Sequence, residues 1–512
     1  MAEYQAIVIG SGAGGLSAAL YLAKQGFSIL LLEAMPSFGG YLNPFRRGPY
    51  SFDTGLHYLG QLGRGEAFWN LLDILGIADR VDFVELDPEG FDRYVFPDYE
   101  FVLCKGKERY KERLIRDFPK EVNGIRKYFS VFDKVCKATG ASIPSGRNPL
   151  GMLGFLMKNP VMLKYGRATY QKLLDEVTTD KLLQAVLGAH SGTYGLAPAR
   201  ASALIPLMVL NHYLNGAYYP KGGSGAIRDA FVTALQAHGA QTKTRSRVVG
   251  IDKKAGEFVV NIESGEQFTA KVVISNADPS LTLGRIVNTE ILSSKARKKA
   301  TRLRPSVGAF YAFIGTDLNL PSLGITGANI HHFDDIDINK MYGAFDAASL
   351  RENASAFFIT SPSLKDPEGG HAPNGRHALE ILTMADYESF GKWADALLMK
   401  RAEDYTRFKN KIGERLVKAA EIYIPGLSER LDHVEYASPL SNEYRVNAVR
   451  GGCYGPEQTP DQMGPGRYVS FTAGVEGLFL VGAGTLGGGI MPCVASGVLA
   501  GSKAAKHLES SK

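Results

Sequence analysis

The sequence predicts an α/β fold that opens with a strand, a glycine turn, a helix and a second strand. Residues 6–9 and 28–32 are short apolar runs, and residues 16–25 between them have the apolar spacing of a helix. The turn at residues 10–15 is rich in glycine, and the second run is followed by an acidic residue, Glu33. This order is typical of the βαβ unit of a Rossmann-type nucleotide-binding domain.

The glycine turn contains the spacing GxGxxG. In this motif the first glycine permits a tight turn, the second lets the backbone approach a pyrophosphate, and the third lets the helix pack closely on the strand. The phosphates then meet the free N–H groups at the start of the helix. We therefore expect the turn to bind a dinucleotide through Gly10, Gly12, Ala13, Gly14 and Gly15.

Glu33 follows Gly15 by 18 residues. A carboxylate at about this distance reaches the ribose hydroxyls of the adenosine, and its negative charge repels a 2′-phosphate. The position of Glu33 therefore argues against NADP and leaves FAD and NAD as the expected cofactors.

Two further segments follow, a pair of glycines at residues 39–40 and a short motif at residues 51–55. With these residues the sequence resembles a flavoprotein superfamily that includes amine oxidases, phytoene desaturases, carotenoid isomerases and retinol saturases. The resemblance implies FAD rather than NAD. It also implies a cofactor site that includes Gly39, Gly40, Asp53, Thr54, Gly55 and Val248.

A second glycine-rich segment lies near the far end of the chain. Residues 478–481 form an apolar run, and the glycine turns at residues 482–489 lead into a small-residue pattern that predicts a helix. The N–H groups at the start of such a helix stabilise negative charge on a flavin. A glycine-rich loop without a ligand is the alternative. We expect FAD contacts from Gly482, Ala483, Gly484, Gly489, Ile490 and Met491.

At 512 residues the chain is long for a single core, so we expect two domains. One is a Rossmann-type FAD-binding domain that is discontinuous in sequence, and the other is an α+β substrate-binding domain. The FAD-binding domain is assigned to residues 1–105, 215–285 and 440–512, and the substrate-binding domain to residues 106–214 and 286–439.

A third glycine loop, at residues 222–225, resembles a nucleotide motif but lacks its context. Residues 215–220 in front of it do not read as an apolar strand, so no second Rossmann unit is expected. Without such a unit, a bound NAD(P)H donor is not predicted, and the electron donor or acceptor stays open.

Residues 53–60, 218–223 and 451–456 resemble segments that retinol saturases and carotenoid isomerases share. The resemblance implies reduction of one C=C bond in a lipophilic polyene, either a retinoid or a carotenoid. Isomerisation of a cis-carotenoid and phytoene-type desaturation are the alternatives. A non-catalytic lipid carrier is an alternative from another class, and the intact glycine motif with Glu33 weighs against it. An amine oxidase would place an aromatic pair at the flavin, and the candidates near residues 440–455 are Tyr444 and Tyr454.

His57 is the candidate catalytic residue, because the resemblance places it near the flavin. A neutral imidazole there could polarise or protonate an alkene carbon. A histidine that is hydrogen-bonded in a buried turn is the alternative.

Aromatic residues are expected to line the substrate site, because a flat conjugated chain packs well against aromatic walls. Several of them cluster in the sequence between residues 190 and 219. An ordinary aromatic core is the alternative. The candidate substrate contacts are Tyr58, Tyr194, His212, Tyr218, Tyr219 and Tyr454.

Residues 149–170 mix large apolar residues with Lys158, Lys164 and Arg167. This composition is typical of an element that lies in the headgroup region of a membrane, and prolines at 149 and 160 exclude one continuous helix. A pair of short helices that face the core is the alternative. The membrane surface is therefore a predicted partner.

Composition and charge argue against several other classes of protein. The net charge of +6 is mild, and the basic segments do not support nucleic acid as a partner. Four cysteines with wide spacing predict neither a metal site nor disulfides. The start of the chain has no signal-peptide pattern, and no run of about 18 apolar residues is present. We therefore expect a cytoplasmic protein whose membrane contact is peripheral.

Overall fold

The structure is a computed structural model, and it describes residues 3–140, 154–155, 157–352, 354–395, 400–469 and 471–510. Two sheets of seven strands each organise these described residues. The predicted α/β fold with a Rossmann-type unit is confirmed.

The first sheet, called the Rossmann sheet below, contains the βαβ unit. Its strand Tyr4–Ile9 pairs in parallel with Ile29–Leu32 on one side and with Gln267–Ser275 on the other. Leu478–Leu480 also pairs in parallel with Gln267–Ser275, so the two glycine-rich segments reach the same edge of one sheet. The sheet is completed by the strands Gln241–Lys243, Val248–Lys254 and Glu257–Ile262.

The second sheet is mostly antiparallel. Its strand Gly308–Thr316 pairs with Leu431–Ala437 and with His377–Ala385. The remaining strands, in spatial order, are Ala356–Thr360, Asn329–Phe333, Asp92–Phe96 and Tyr99–Leu103.

The last two of these strands lie within residues 1–105, which were assigned to the FAD-binding domain. In the structure they extend the second sheet, because Asp92–Phe96 pairs in parallel with Asn329–Phe333. The second sheet thus takes strands from both sides of residue 105, and the predicted domain division stays a prediction.

The two faces of strand Gly308–Thr316 in the second sheet contact different parts of the protein. Successive side chains of a strand point to opposite faces. Phe310 and Ile314 pack into the core beneath helix Glu403–Ala420, whereas Ala309 and Tyr311 line a large cavity on the other face. The whole strand is buried, which explains why its sequence lacks polar alternation.

The described residues also form two smaller sheets. Phe45–Arg47 pairs with Tyr50–Phe52, and Leu59–Gly60 and Phe83–Glu85 both pair with Ala217–Pro220. The expectation that residues 215–220 form no strand was therefore wrong. Because this strand pairs antiparallel in a three-stranded sheet, it still does not create a second Rossmann unit.

Helices surround both sheets. Helix Ile490–Ser510 packs against helix Ala13–Lys24 on one face of the Rossmann sheet. The other helices are Ala67–Ile74, Lys107–Asp117, Val122–Gly140, Pro160–Tyr165, Tyr170–Val177, Lys181–Gly188, Leu204–Tyr213, Ser224–Ala237, Pro279–Leu281, Ser294–Thr301, Ile338–Met341, Ala347–Glu352, Pro362–Lys365 and Pro439–Val446.

The first and last helices approach each other closely through glycine. A Cβ atom added at Gly497 would collide with the carbonyl oxygen of Gly14 and would lie 2.5 Å from Cβ of Ser17. One turn further on, a Cβ atom at Gly501 would lie 3.0 Å from the ring of Tyr21. Glycine at these positions lets the two backbones touch.

We expect Gly497→Ala to destabilise the protein by about 1–3 kcal/mol, because the added methyl group overpacks this contact. Thermal unfolding followed by circular dichroism would measure the loss. Gly140→Ala is the control, because Gly140 is exposed in a helix and no atom of the described residues lies within 4 Å of a Cβ atom added there. Equal melting temperatures for the two variants would contradict the role of close packing.

Candidate active site

One continuous cavity of about 2530 Å³ runs between the two sheets. Its lining includes the glycine turns of the Rossmann sheet and apolar residues of the helical region, among them Phe155, Met162 and Met208. Ordinary small-molecule sites measure about 300–1000 Å³. The cavity therefore has room for a dinucleotide together with a second large molecule.

The first glycine turn is shaped for close approach. Gly10 has a φ of +86°, which disfavours other residues, and a Cβ atom at Gly12 would lie 2.6 Å from the side-chain nitrogen of Asn276. Gly10, Gly12 and Ala13 line the cavity. Gly14 and Gly15 are buried at the start of the helix, where the absence of a side chain allows close packing.

Glu33 lies at the end of the second strand and is 7% exposed. Its Oε2 accepts hydrogen bonds from the backbone N–H and the hydroxyl of Ser11, and its Oε1 accepts one from the N–H of Met35 at 2.8 Å. These bonds hold the carboxylate in one orientation at the cavity wall, as a ribose contact requires.

Asn276 is a site residue that the sequence analysis missed. Its backbone N–H donates to the carbonyl of Ile9, and its side chain lies against Gly12, Gly14 and Gly482. Asn276 follows the strand Gln267–Ser275 directly, at the carboxyl edge of the sheet, where open α/β sheets bind ligands. A polar residue after a predicted strand was the available signal, but the strand pairing was not visible in the sequence.

The second glycine segment closes the same end of the cavity. The N–H of Gly482 donates to the hydroxyl of Ser496 at 2.7 Å, which ties the loop to the last helix. The buried guanidinium of Arg467, also missed in the sequence, donates to the carbonyl oxygens of Ala483, Pro456, Glu457 and Gln462. Burial lowers the pKa of Arg467 to about 10, so the group is still a cation at neutral pH.

The structure brings most of the predicted cofactor residues to this cavity. Asp53 and Thr54 are not among the described residues that line it. Asp53 accepts hydrogen bonds from Ser224 at the start of a helix and from the Tyr219 hydroxyl, and the Thr54 hydroxyl donates to two backbone carbonyls. The predicted residues that line the cavity are Gly10, Gly12, Ala13, Glu33, Gly39, Gly40, Gly55, Val248, Gly482, Ala483, Gly484, Gly489, Ile490 and Met491.

Four of the six predicted substrate residues also line the cavity, namely Tyr58, Tyr194, His212 and Tyr454. Tyr218 and Tyr219 are not among the described lining residues, and both lie in the buried strand Ala217–Pro220. The sequence showed their aromatic character but not the direction in which they point. Lining residues that the sequence analysis did not identify include Val209, Tyr311, Tyr342, Phe345, Phe357, Phe358 and Leu382.

His57 lines the cavity and also makes a hydrogen-bond contact with a buried side chain, so its position does not decide between the two interpretations of the sequence. Its Nδ1 lies 2.9 Å from Oε2 of Glu380, and its ring centroid lies 5.3 Å from that of Phe358. Burial, with a smaller contribution from the positive charge of Lys365, lowers the pKa of His57 to about 3. The imidazole is therefore neutral at physiological pH.

These glycine cradles, the fixed carboxylate and the helix start match the requirements of a flavin dinucleotide. The model of the family described as flavin containing amine oxidoreductase matches residues 13–506. The chain belongs to this family. It is an FAD-dependent oxidoreductase.

Two relatives with named activities are similar to most of this chain. An all-trans-retinol 13,14-reductase of Macaca fascicularis is 30% identical over 501 residues, which cover 93% of this chain and 81% of that protein. A prolycopene isomerase of an Oncidium hybrid cultivar is 25% identical over 522 residues, which cover 99% of this chain and 84% of that protein.

Among solved structures, a redesigned putrescine oxidase superposes with a TM-score of 0.65 at 14% identity, covering 98% of this chain and 99% of that one. At this identity the likeness concerns the fold. It confirms that the two proteins share their overall fold.

Buried, neutral histidines make stability depend on pH, and two of them, His57 and His212, line the cavity. Burial lowers the pKa of His57 to about 3 and the pKa values of His190 and His212 to about 4. The unfolded chain takes up protons below about pH 6.5, whereas the folded protein does not. Each such histidine therefore removes about 1.4 kcal/mol of stability per pH unit as the pH falls from 6.5 towards 4.

We expect His212→Gln to flatten the fall in melting temperature between pH 6.5 and 5, measured by differential scanning fluorimetry. The glutamine carbonyl can still accept the N–H of Gly60, which His212 Nε2 accepts at 2.9 Å. His238→Gln, at an exposed position, is the control and should leave the slope unchanged. Parallel curves for both variants and the unmodified protein would refute this origin of the pH dependence.

Proposed function

We propose that the protein reduces one C=C bond of a lipophilic polyene, with a retinoid as the leading substrate class. The observation that carries the proposal is that one cavity is lined by the glycine cradles, by His57 and by many apolar and aromatic side chains. When bound, FAD supplies hydride chemistry at its N5 position.

The side chains of the cavity support this chemistry in three ways. Aromatic residues such as Tyr58, Tyr454 and Phe358 form flat walls that orient a conjugated chain. The apolar lining excludes water from the reacting carbons. His57, whose ring lies at the wall, provides a group that can pass a proton to an alkene carbon.

The named relatives support the same class of substrate. The Macaca fascicularis protein is named for reduction of all-trans-retinol, and the Oncidium protein for isomerisation of prolycopene. Both names refer to polyenes. Isomerisation is therefore the second candidate function, and desaturation is the third.

Two alternative functions receive less support. A non-catalytic lipid carrier does not require the close glycine approach seen at Gly12 and Gly482. An amine oxidase that used Tyr444 and Tyr454 as an aromatic pair would need both at the cofactor. Tyr454 lines the cavity, but Tyr444 is 42% exposed and is not part of the described lining.

We also propose that the apolar end of the cavity opens at a membrane surface. Met157 and Leu163 are 76% and 68% exposed, and Met208 is 41% exposed. Leu163 and Met208 line the cavity as well, so two exposed apolar side chains belong to its wall. Of the predicted interfacial segment at residues 149–170, residues 149–153 and 156 lie outside the described residues. In the part of the chain that the structure describes, every helix is too short or too polar to cross a bilayer.

The proposed reduction predicts a product that is heavier than its substrate by two hydrogens. The purified holoenzyme is photoreduced without oxygen, incubated with all-trans-retinol or with a poly-cis carotenoid, and the products are analysed by mass spectrometry. We expect saturation of one bond with reoxidation of the flavin. Unchanged mass with altered chromatographic retention would replace reduction by isomerisation, and unaltered substrates would reject both.

The membrane proposal predicts that the double variant Met157→Ser and Leu163→Ser loses flotation with phosphatidylcholine vesicles. Serine at these exposed positions removes apolar area that would enter the headgroup region, and the fold does not depend on it. Ile422→Ser is the matched control, because Ile422 is 62% exposed but does not belong to the described cavity lining. Undiminished flotation of the double variant would reject this surface.

A further inference from the structure

A buried carboxyl group stands directly behind His57. Glu380 lies in strand His377–Ala385 of the second sheet and is 1% exposed. Its Oε1 accepts the backbone N–H of Asp53 at 2.7 Å, and its Oε2 lies 2.9 Å from Nδ1 of His57. One oxygen is thus occupied by a backbone donor, and the other faces the imidazole.

The groups around this pair are charged and buried. On one side lies Asp53, which is 2% exposed and accepts hydrogen bonds from Tyr219 and Ser224. On the other side lies the ammonium of Lys365, which is 3% exposed. It donates to three neutral oxygens, the His57 carbonyl at 2.7 Å, Asn329 Oδ1 at 2.6 Å and the Thr360 hydroxyl.

This environment determines where the shared proton lies. Burial, followed by the negative charge of Asp53, raises the pKa of Glu380 well above its usual range, while Lys365 and His371 oppose the shift. The carboxyl group therefore keeps its proton to a higher pH than an exposed glutamate does. In its protonated form the hydrogen lies on Oε2 and is donated to Nδ1 of His57, because Oε1 already receives an N–H.

The tautomer of His57 follows from this hydrogen bond. A neutral imidazole whose Nδ1 accepts a hydrogen bond carries its own hydrogen on Nε2. Nδ1 is held by Glu380, so Nε2 is the nitrogen left for the cavity that His57 lines. His57 thus presents an N–H donor to a bound molecule.

We propose that Glu380 is the proton source for the reduction and that His57 relays its proton to the alkene. The inference rests on the proposed function, since it assigns the proton of that reaction. The O–H bond of Glu380 breaks as an Nδ1–H bond forms on His57, and the Nε2–H bond breaks as a C–H bond forms on one alkene carbon. Bound reduced FAD would supply a hydride to the adjacent carbon, so that two hydrogens and two electrons are added in total.

The relay solves a difficulty that His57 alone would face. Loss of the Nε2 proton from an isolated neutral imidazole would leave an imidazolate, and an imidazolium donor is disfavoured because the pKa of His57 is lowered to about 3. In the relay, His57 is neutral before and after the step and changes tautomer.

The negative charge forms on Glu380, where the N–H of Asp53 and the new Nδ1–H stabilise it and the Lys365 ammonium is close by. After product release the proton is replaced from water through His57, whose side chain is 16% exposed.

The first test reads the tautomer and needs no turnover. The holoenzyme is labelled with ¹⁵N-histidine, and long-range ¹H–¹⁵N spectra at pH 7 are recorded for the unmodified protein and for His57→Gln, which identifies the His57 signals among the ten histidines. We expect a protonated Nε2 and an unprotonated Nδ1. A hydrogen on Nδ1 in the unmodified enzyme would overturn the relay.

The second test distinguishes loss of the transferable proton of Glu380 from loss of its hydrogen bond to His57. In Glu380→Gln the side-chain amide can still donate to Nδ1 and accept from Asp53, so the variant should retain FAD and the Nε2–H tautomer. Without a transferable proton, the rate of C=C reduction by the photoreduced enzyme should fall by about 10²–10⁴-fold. His57→Gln should cause a similar loss, and the double variant should lose no more than either single variant, since the two residues act as one unit.

Asp366→Asn is the matched control, because Asp366 is a carboxyl group that is 3% exposed and accepts the N–H of Gly222. It should leave the reduction rate unchanged. Full activity in Glu380→Gln would overturn the relay while leaving the proposed function intact. An enzyme with the expected tautomer that saturates neither retinol nor a carotenoid would instead contradict the proposed function, and the relay with it.

Discussion

The contact between the first and the last helix is the constraint on which the cofactor site depends. Helix Ala13–Lys24 and helix Ile490–Ser510 touch through glycine backbones, and their preceding strands lie on either side of Gln267–Ser275. Asn276 at the end of that middle strand packs against both glycine turns. Three segments that are distant in sequence thus meet at one edge of the sheet, and the dinucleotide site exists where they meet.

The second sheet places ionisable side chains next to a cavity wall that is otherwise largely apolar. Strand Gly308–Thr316 sends one face into the core and the other towards the cavity, and the neighbouring strand His377–Ala385 brings a glutamate to the same junction. Buried ionisable groups are expensive unless they are hydrogen-bonded or neutralised. The cluster of Asp53, Glu380 and Lys365 meets this requirement through backbone N–H groups, hydroxyls and amide oxygens, and burial also raises the pKa of Glu380.

The parts of the site that could be predicted from the sequence are those that local spacing determines. The glycine turn before Ala13 and the acidic residue at Glu33 are set by the geometry of one βαβ unit, so about thirty residues of sequence are sufficient to recognise them. Asn276, Glu380 and Arg467 were not predicted, because strand pairing and loop packing bring them to the site from distant positions. Each is a polar residue whose partners lie far away in the chain.

The substrate residues show a different limit. Aromatic residues were recognised by type, but Tyr219 points away from the cavity to Asp53, whereas Tyr454 lines it. The direction of a side chain in a strand depends on register, and the strand Ala217–Pro220 is buried throughout. Its pattern therefore does not distinguish an inward from an outward position.

The meeting of the two glycine segments also has a consequence for the order of events during synthesis. Chains are made at about 5–20 residues per second, so the segment that ends in Gly482 leaves the ribosome on the order of a minute after the turn at Gly10. Until strand Leu478–Leu480 adds to the sheet, the nascent chain has one half of its dinucleotide cradle. A complete dinucleotide cradle therefore requires that strand Leu478–Leu480 has been synthesised and has paired with Gln267–Ser275.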